Sequence, residues 1–169
     1  MQPVAVRSTG LAAPVRAVAL GVVTGSRQQL AIALLAGAAS RGRFDPGAGR
    51  VAERLRSPGA TAVAALAAAA ELVADKLPFT PARTAPGPML GRVATGGLVG
   101  ASVLRDAHGS AALGAALGAL GAAGGAVAGN RARVALARRT RVPDLVWGVV
   151  EDLVALGLGT LAVASLPGR

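Results

Sequence analysis

Four carboxylates stand where few charges are expected. Glu71 and Asp75 follow directly on the apolar run 62–70, and Glu151 and Asp152 lie inside the apolar stretch 145–166. Glu71 and Asp75 are four residues apart, so a helix puts both on one face, one turn apart, before Pro78 stops it. In hydrocarbon such acids are costly unless they meet cations, water or a partner. Several carboxylate oxygens together suit a hard cation, and acids that share a site can exchange protons. Glu71, Asp75, Glu151 and Asp152 are therefore the candidate ion or proton site, with Arg27, Lys76 and Arg131 as candidate charge partners. Arg83, in the Pro-rich stretch after Lys76, is a candidate for holding a lipid phosphate. The residues specify no particular metal.

Other chemistry has little to work with. The chain has no Cys, so thiol catalysis and Cys-type metal sites are excluded, and its one His, His108, lies in a short polar turn with no second His to share a metal. No Gly-rich phosphate loop ending in Lys-Ser or Lys-Thr occurs. No catalytic residues, no cofactor and no enzymatic activity are expected.

The elements that must position the acids are apolar helices. Of 169 residues 53% are hydrophobic and only 15% are charged, against roughly 25% in a typical soluble domain. The mean hydropathy is +0.54. Ala (41 residues) and Gly (24) supply much of this, whereas Phe, Tyr and Trp make up 2%. Such a composition fills a water-driven core poorly, but it lets helix backbones approach closely in lipid, where packing holds helices together. The net charge of +10 sits between the apolar runs with no interleaved aromatics, so it reads as membrane-flanking charge, and nucleic acid is not expected as a partner. The expected partners are the lipid bilayer and a small cation, with self-association left open. The expected location is the cell membrane, as a multi-pass protein.

The fold class follows as all-α: one integral membrane domain over residues 1–169, a bundle of about five transmembrane helices. The first apolar region, 11–39, would be about 43 Å long as one helix at 1.5 Å per residue, longer than a roughly 30 Å hydrocarbon core. Gly25-Ser26-Arg27-Gln28-Gln29 interrupts it, so this helix is expected to tilt, break or re-enter. A basic loop, 40–58, leads to a second helix, 59–77. The segment 78–88 carries four prolines and is expected to be a non-helical connector. Helices follow at 89–104 and 110–129, then a second basic loop, 130–143, and a fifth helix, 145–166. Gly96/Gly100, Gly114/Gly118, Gly121/Gly125 and Gly125/Gly129 have the spacing of close helix contact.

The halves also resemble each other. Gly21-Val22-Val23-Thr24-Gly25-Ser26-Arg27 matches Gly125-Ala126-Val127-Ala128-Gly129-Asn130-Arg131, and each is followed, after a basic loop, by a helix with Glu-Leu-Val-Ala or Glu-Asp-Leu-Val-Ala. This gives repeat one at about 11–77, a linking helix at about 89–104 and repeat two at about 110–166. With an odd number of crossings between them, the copies would be inverted.

Taken together, Gly25-Ser26-Arg27, Glu71-Leu72-Val73-Ala74-Asp75-Lys76-Leu77-Pro78 and the segment 145–157 around Glu151-Asp152 resemble the small bacterial membrane proteins grouped as domain of unknown function 4126. The resemblance covers nearly the whole chain and implies a polytopic membrane protein of no stated activity. The acidic cluster is also similar to the paired acidic motifs of calcium and manganese cation exchangers, with a spacing one residue longer and no basic residue in the second copy. Two readings stay open. In one the acids bind a cation or relay protons in a transporter. In the other Arg27 pairs with Glu71, Arg131 with Glu151 and Lys76 with Asp75, and the charges only fix packing in a membrane scaffold.

Overall fold

The computed structural model describes residues 11–45, 47, 54–74 and 85–166, and within them the chain is all-α, with six helices and no strand. We number them α1 (Ala13–Ser26), α2 (Gln28–Ser40), α3 (Pro58–Ala74), α4 (Pro86–Asp106), α5 (Ala111–Arg139) and α6 (Asp144–Ala164).

The first apolar region is two helices, not one. Arg27 alone separates them, with extended dihedrals (φ −141°, ψ 91°). The chain reverses at this residue, as the contacts with α6 record. Arg16 in α1 reaches the Ser165 carbonyl just beyond the end of α6, Arg27 reaches Asp152, Leu34 of α2 lies by Gly159, and Arg43 beyond α2 reaches the Ala164 carbonyl. The chain therefore runs along α6 toward its middle and back again, as a helical hairpin with Arg27 at its tip.

Two boundaries differ from the expectation. α4 begins at Pro86, inside the Pro-rich connector, because proline is tolerated in a first helical turn whose N–H groups have no intrahelical partner anyway. α5 runs on through Arg139, so most of the second basic stretch is helical. Ala and Arg are strong helix formers, and no Gly or Pro intervenes between Asn130 and Arg139 to stop it.

Glycines bring three backbones together. α4 and α5 are antiparallel, with Gly96 and Gly100 of α4 against Gly118 and Gly114 of α5. α1 packs on an overlapping stretch of α5, running in the same direction as α5, with Val18 against Gly121 and Val22 against Gly125. A Cβ at Gly96 would lie 2.6 Å from Ala122 Cβ and 2.7 Å from the Gly118 carbonyl oxygen, so no side chain fits without moving the helices apart. The parallel course of α1 and α5 also bears on the repeat. The matched segments 21–27 and 125–131 are not inverted relative to each other: one ends at the helix break and the other passes uninterrupted through α5.

The apolar core is built from Ala17, Leu20, Leu35, Val99, Val103 and Leu104, closed by Phe44 and Leu166. Outside it the usual order is inverted. Arg16, Arg27, Arg92 and Asp106 are buried, whereas Leu66, Leu98 and Leu120 are 70%, 71% and 71% exposed. Charges are almost never fully buried unless paired, and broad apolar surface marks contact with a protein partner or a membrane. Two helices, α5 and α6, are long and apolar enough to cross a membrane.

Candidate functional site

The hairpin tip is where the charges gather. The turn of backbone at Arg27 gives α2 an N-terminus deep in the molecule, and the Arg27 side chain cannot cap it. Glu71, near the C-terminal end of α3, does so from outside: Oε1 accepts the Gln28 N–H (2.9 Å) and Oε2 the Gln29 N–H (2.7 Å). A carboxylate there also meets the positive end of the α2 dipole. Arg92 of α4 approaches the same carboxylate, its Nη2 lying 3.6 Å from Oε1. The Gln28 side chain donates to Thr95 Oγ1 (3.0 Å), which binds the tip to α4 a second time.

On the other side of the tip the Arg27 guanidinium turns to α6. Its Nε donates to Asp152 Oδ1 (2.5 Å), its Nη2 also contacts Asp152, and Nη2 lies 3.9 Å from Glu151 Oε2. Its Nη1 donates to the Ser26 carbonyl (2.8 Å). The Arg27 side chain is 1% exposed, Glu71 12%, Arg92 8%, Glu151 13% and Asp152 15%, so water screens these contacts little. α5 adds no charge here but makes room: a Cβ at Gly129 would meet Glu151 Oε1 at 2.6 Å.

Position along the molecule matters as much as contact. At 1.5 Å per residue, Asp152 lies about 12 Å from the Asp144 end of α6 and about 18 Å from the Ala164 end, so the tip sits near the middle of that helix. The α5–α6 connection beyond it is fixed by Arg133, which grips Asp144 with two N–H groups (2.8 and 2.5 Å), and by Trp147, whose Nε1 donates to Thr140 Oγ1 (3.1 Å).

Four of the residues singled out by sequence, Arg27, Glu71, Glu151 and Asp152, thus surround one helix break, but not in the pairs expected. Arg27 is held by Asp152 rather than Glu71, because the Glu71 oxygens are taken by the amides of α2 and approached by Arg92. Arg131 does not meet Glu151. It is exposed on α5 while Gly129, two residues earlier, faces that acid. Asp75, Lys76 and Arg83 lie outside the described residues. His108 is exposed in the turn after α4. Among the described residues no group of three or more His, Asp or Glu forms a metal-binding set.

Arg92 escaped the sequence reading. Its signal was there: a single cation in the otherwise uncharged stretch 84–104, which a helix in lipid would tolerate only with a partner. Arg16 gave the same signal. It is buried, bound to the Ser165 carbonyl at 2.7 Å.

Comparison with protein-family models, with curated proteins and with solved structures finds no match to this chain.

Proposed function

We propose that this is a multi-pass protein of the cell membrane in which α3 to α6 cross the bilayer, the α1–α2 hairpin enters and leaves by one face, and the charged tip serves the passage of a small cation or proton. One observation carries the reading: a broken helix whose tip gathers three acids and two arginines halfway along α6, in a molecule that exposes many large apolar side chains. Non-helical backbone at membrane depth survives only where protein or a water-filled path satisfies it, and ionisable groups there mark ion and proton routes. Half-helices meeting near the midplane are the form such sites take in many transporters. In this reading Asp152 and Glu151 are the exchanging carboxylates. A cation or proton arriving at Asp152 competes with Arg27, and Glu71, fixed on the end of α2, holds the hairpin while Arg27 changes partner. The resemblance to small bacterial membrane proteins of no stated activity agrees with the class and adds nothing about the solute.

A second reading has its own support. The contacts of Glu71 and Asp152 described above are all to guanidinium groups or backbone amides, which is what a membrane scaffold with purely structural ion pairs requires. Flux into vesicles separates the two. Reconstituted protein is expected to move protons, or a monovalent or divalent cation, down an imposed gradient, and Asp152→Asn with Glu151→Gln to abolish it. Folded protein that moves none of these leaves the scaffold.

A further inference from the structure

α3 and α6 both pack on α2 but stand apart from each other, leaving a groove of about 360 Å³ along the α2 face between them. Its walls are small and apolar: Ala33 and Leu34 from α2, Ala65 from α3 and the methyl-bearing Thr160 from α6. Thr160 turns its hydroxyl inward to the Leu156 and Gly157 carbonyls (2.8 and 2.9 Å), so it presents no polar group to an occupant.

Thr61 of α3 likewise turns its hydroxyl to the Ala36 carbonyl (3.2 Å), and the two charged residues at the groove are both cations at one end. α2 finishes in a Schellman motif: Gly42 is left-handed (φ +69°), its N–H donates to the Ala39 carbonyl (3.0 Å), and the Arg43 N–H returns to the Ala38 carbonyl (2.9 Å). That turn sets Arg41 and Arg43 on the two sides of Gly42 at the groove mouth. Each is oriented by a carbonyl, Arg41 Nη1 on Gly37 (2.7 Å) and Arg43 Nη2 on Ala164 (2.9 Å). Neither guanidinium meets a carboxylate among the described residues, and both side chains are exposed, so each keeps donors for an anion. The mouth lies at the Ala164 end of α6, which the membrane reading puts at the bilayer surface, and the apolar walls run from there toward the middle of the helix.

We infer that this groove binds a membrane phospholipid with an anionic headgroup, its phosphate held between Arg41 and Arg43 and an acyl chain lying along Leu34 and Ala33 between Ala65 and Thr160. Charge complementarity selects this occupant. A wholly apolar partner would leave two cations unused at the mouth, and a soluble anion would leave the apolar walls bare. The inference rests on the protein being embedded in a membrane, though not on its transporting anything.

The test uses the full chain in mild detergent, with phosphatidylglycerol and phosphatidylcholine of identical acyl chains as probes and native mass spectrometry as the readout. Wild-type protein is expected to retain one phosphatidylglycerol per chain, at least ten-fold more tightly than phosphatidylcholine. Arg41→Gln with Arg43→Gln should erase that preference, since charge-assisted hydrogen bonds are worth roughly ten-fold or more each. Ala65→Trp, which fills the groove from an exposed position, should displace both lipids. Equal retention of the two lipids by the wild type overturns the proposal with no variant needed. So does phosphatidylglycerol binding unchanged in variants that keep wild-type helicity, or a two-chain species that Ala65→Trp dissolves, which would make the groove a contact between copies. An alkaline carbonate wash of membranes separates the layers of the argument. Protein that washes off refutes the membrane reading itself, whereas protein that stays in the membrane but shows no lipid preference refutes only the groove.

Discussion

Asp152→Asn should be the most informative single change at the hairpin tip. Arg27 is 1% exposed and Asp152 15%, so the substitution leaves a guanidinium in a site with little water to replace its partner. Breaking a buried pair by removing one member costs about 3–5 kcal/mol. Two features pull the value toward the lower end: the Asn carbonyl can still accept from Nε, and Glu151 Oε2 is 3.9 Å from Nη2. A loss of about 3 kcal/mol corresponds to about 6–12 °C in Tm for a chain of this length. The double variant Arg27→Met with Asp152→Leu removes both charges and should recover most of the loss, because apolar replacement of a buried pair is often neutral. Thermal melts in detergent, followed by far-UV dichroism and by the single tryptophan, Trp147, measure Asp152→Asn and the four corners of a cycle made of wild type, Arg27→Met, Asp152→Leu and their double. An Asp152→Asn protein within about 0.5 kcal/mol of wild type, or two single effects that simply add, would refute the pairing. The same double variant also distinguishes the functional readings: a scaffold keeps whatever role it has, whereas a cation path loses its flux while staying folded.

Glu71→Ala should cost about 2–4 kcal/mol by stranding the Gln28 and Gln29 N–H groups at the buried end of α2, and Glu71→Gln clearly less, as judged by chemical or thermal unfolding in detergent. Gly96→Ala should cost about 1–3 kcal/mol by forcing α4 and α5 apart, whereas Gly124→Ala, whose Cβ would meet nothing within 4 Å, should stabilise by up to about 1 kcal/mol. Equal melting shifts for these two would remove the argument for backbone contact at Gly96. His108 holds the left-handed position (φ +57°) after α4, with its N–H on Arg105 and that of Gly109 on Leu104, so His108→Gly should raise stability by about 1 kcal/mol and leave any flux unchanged.

The helical class, the apolar character of the helices and the break at residues 25–29 were all legible in the chain, because they depend on composition and on local interruptions of a hydrophobic run. So was the presence of a costly acid near the end of the third helix and of two more inside the last. The close-contact glycines were legible as spacings, and α4 and α5 use Gly96/Gly100 and Gly114/Gly118 at that spacing. Boundaries were less so. Pro86 marks the start of α4 rather than the middle of a connector, and Arg131 to Arg139 continue α5, since neither proline at a first turn nor arginine in a helix opposes helical backbone.

Partner choice was beyond the sequence. Arg27 is followed by Glu71 and later by Glu151 and Asp152, and spacing along the chain cannot say which acid it meets. Only the reversal at Arg27 decides. It turns the guanidinium toward α6 and the new helix end toward α3, so Asp152 takes the cation and Glu71 takes the amides, leaving Arg92 to approach Glu71 from α4. The repeat too was decided by tertiary packing: α1 and α5 share a motif but run side by side in one direction, glycines of each against the backbone of the other. Composition made a set of apolar helices with a few expensive charges. The hairpin fold determined which of those charges compensate one another, because contacts between residues more than 20 apart depend on chain direction, not on pattern.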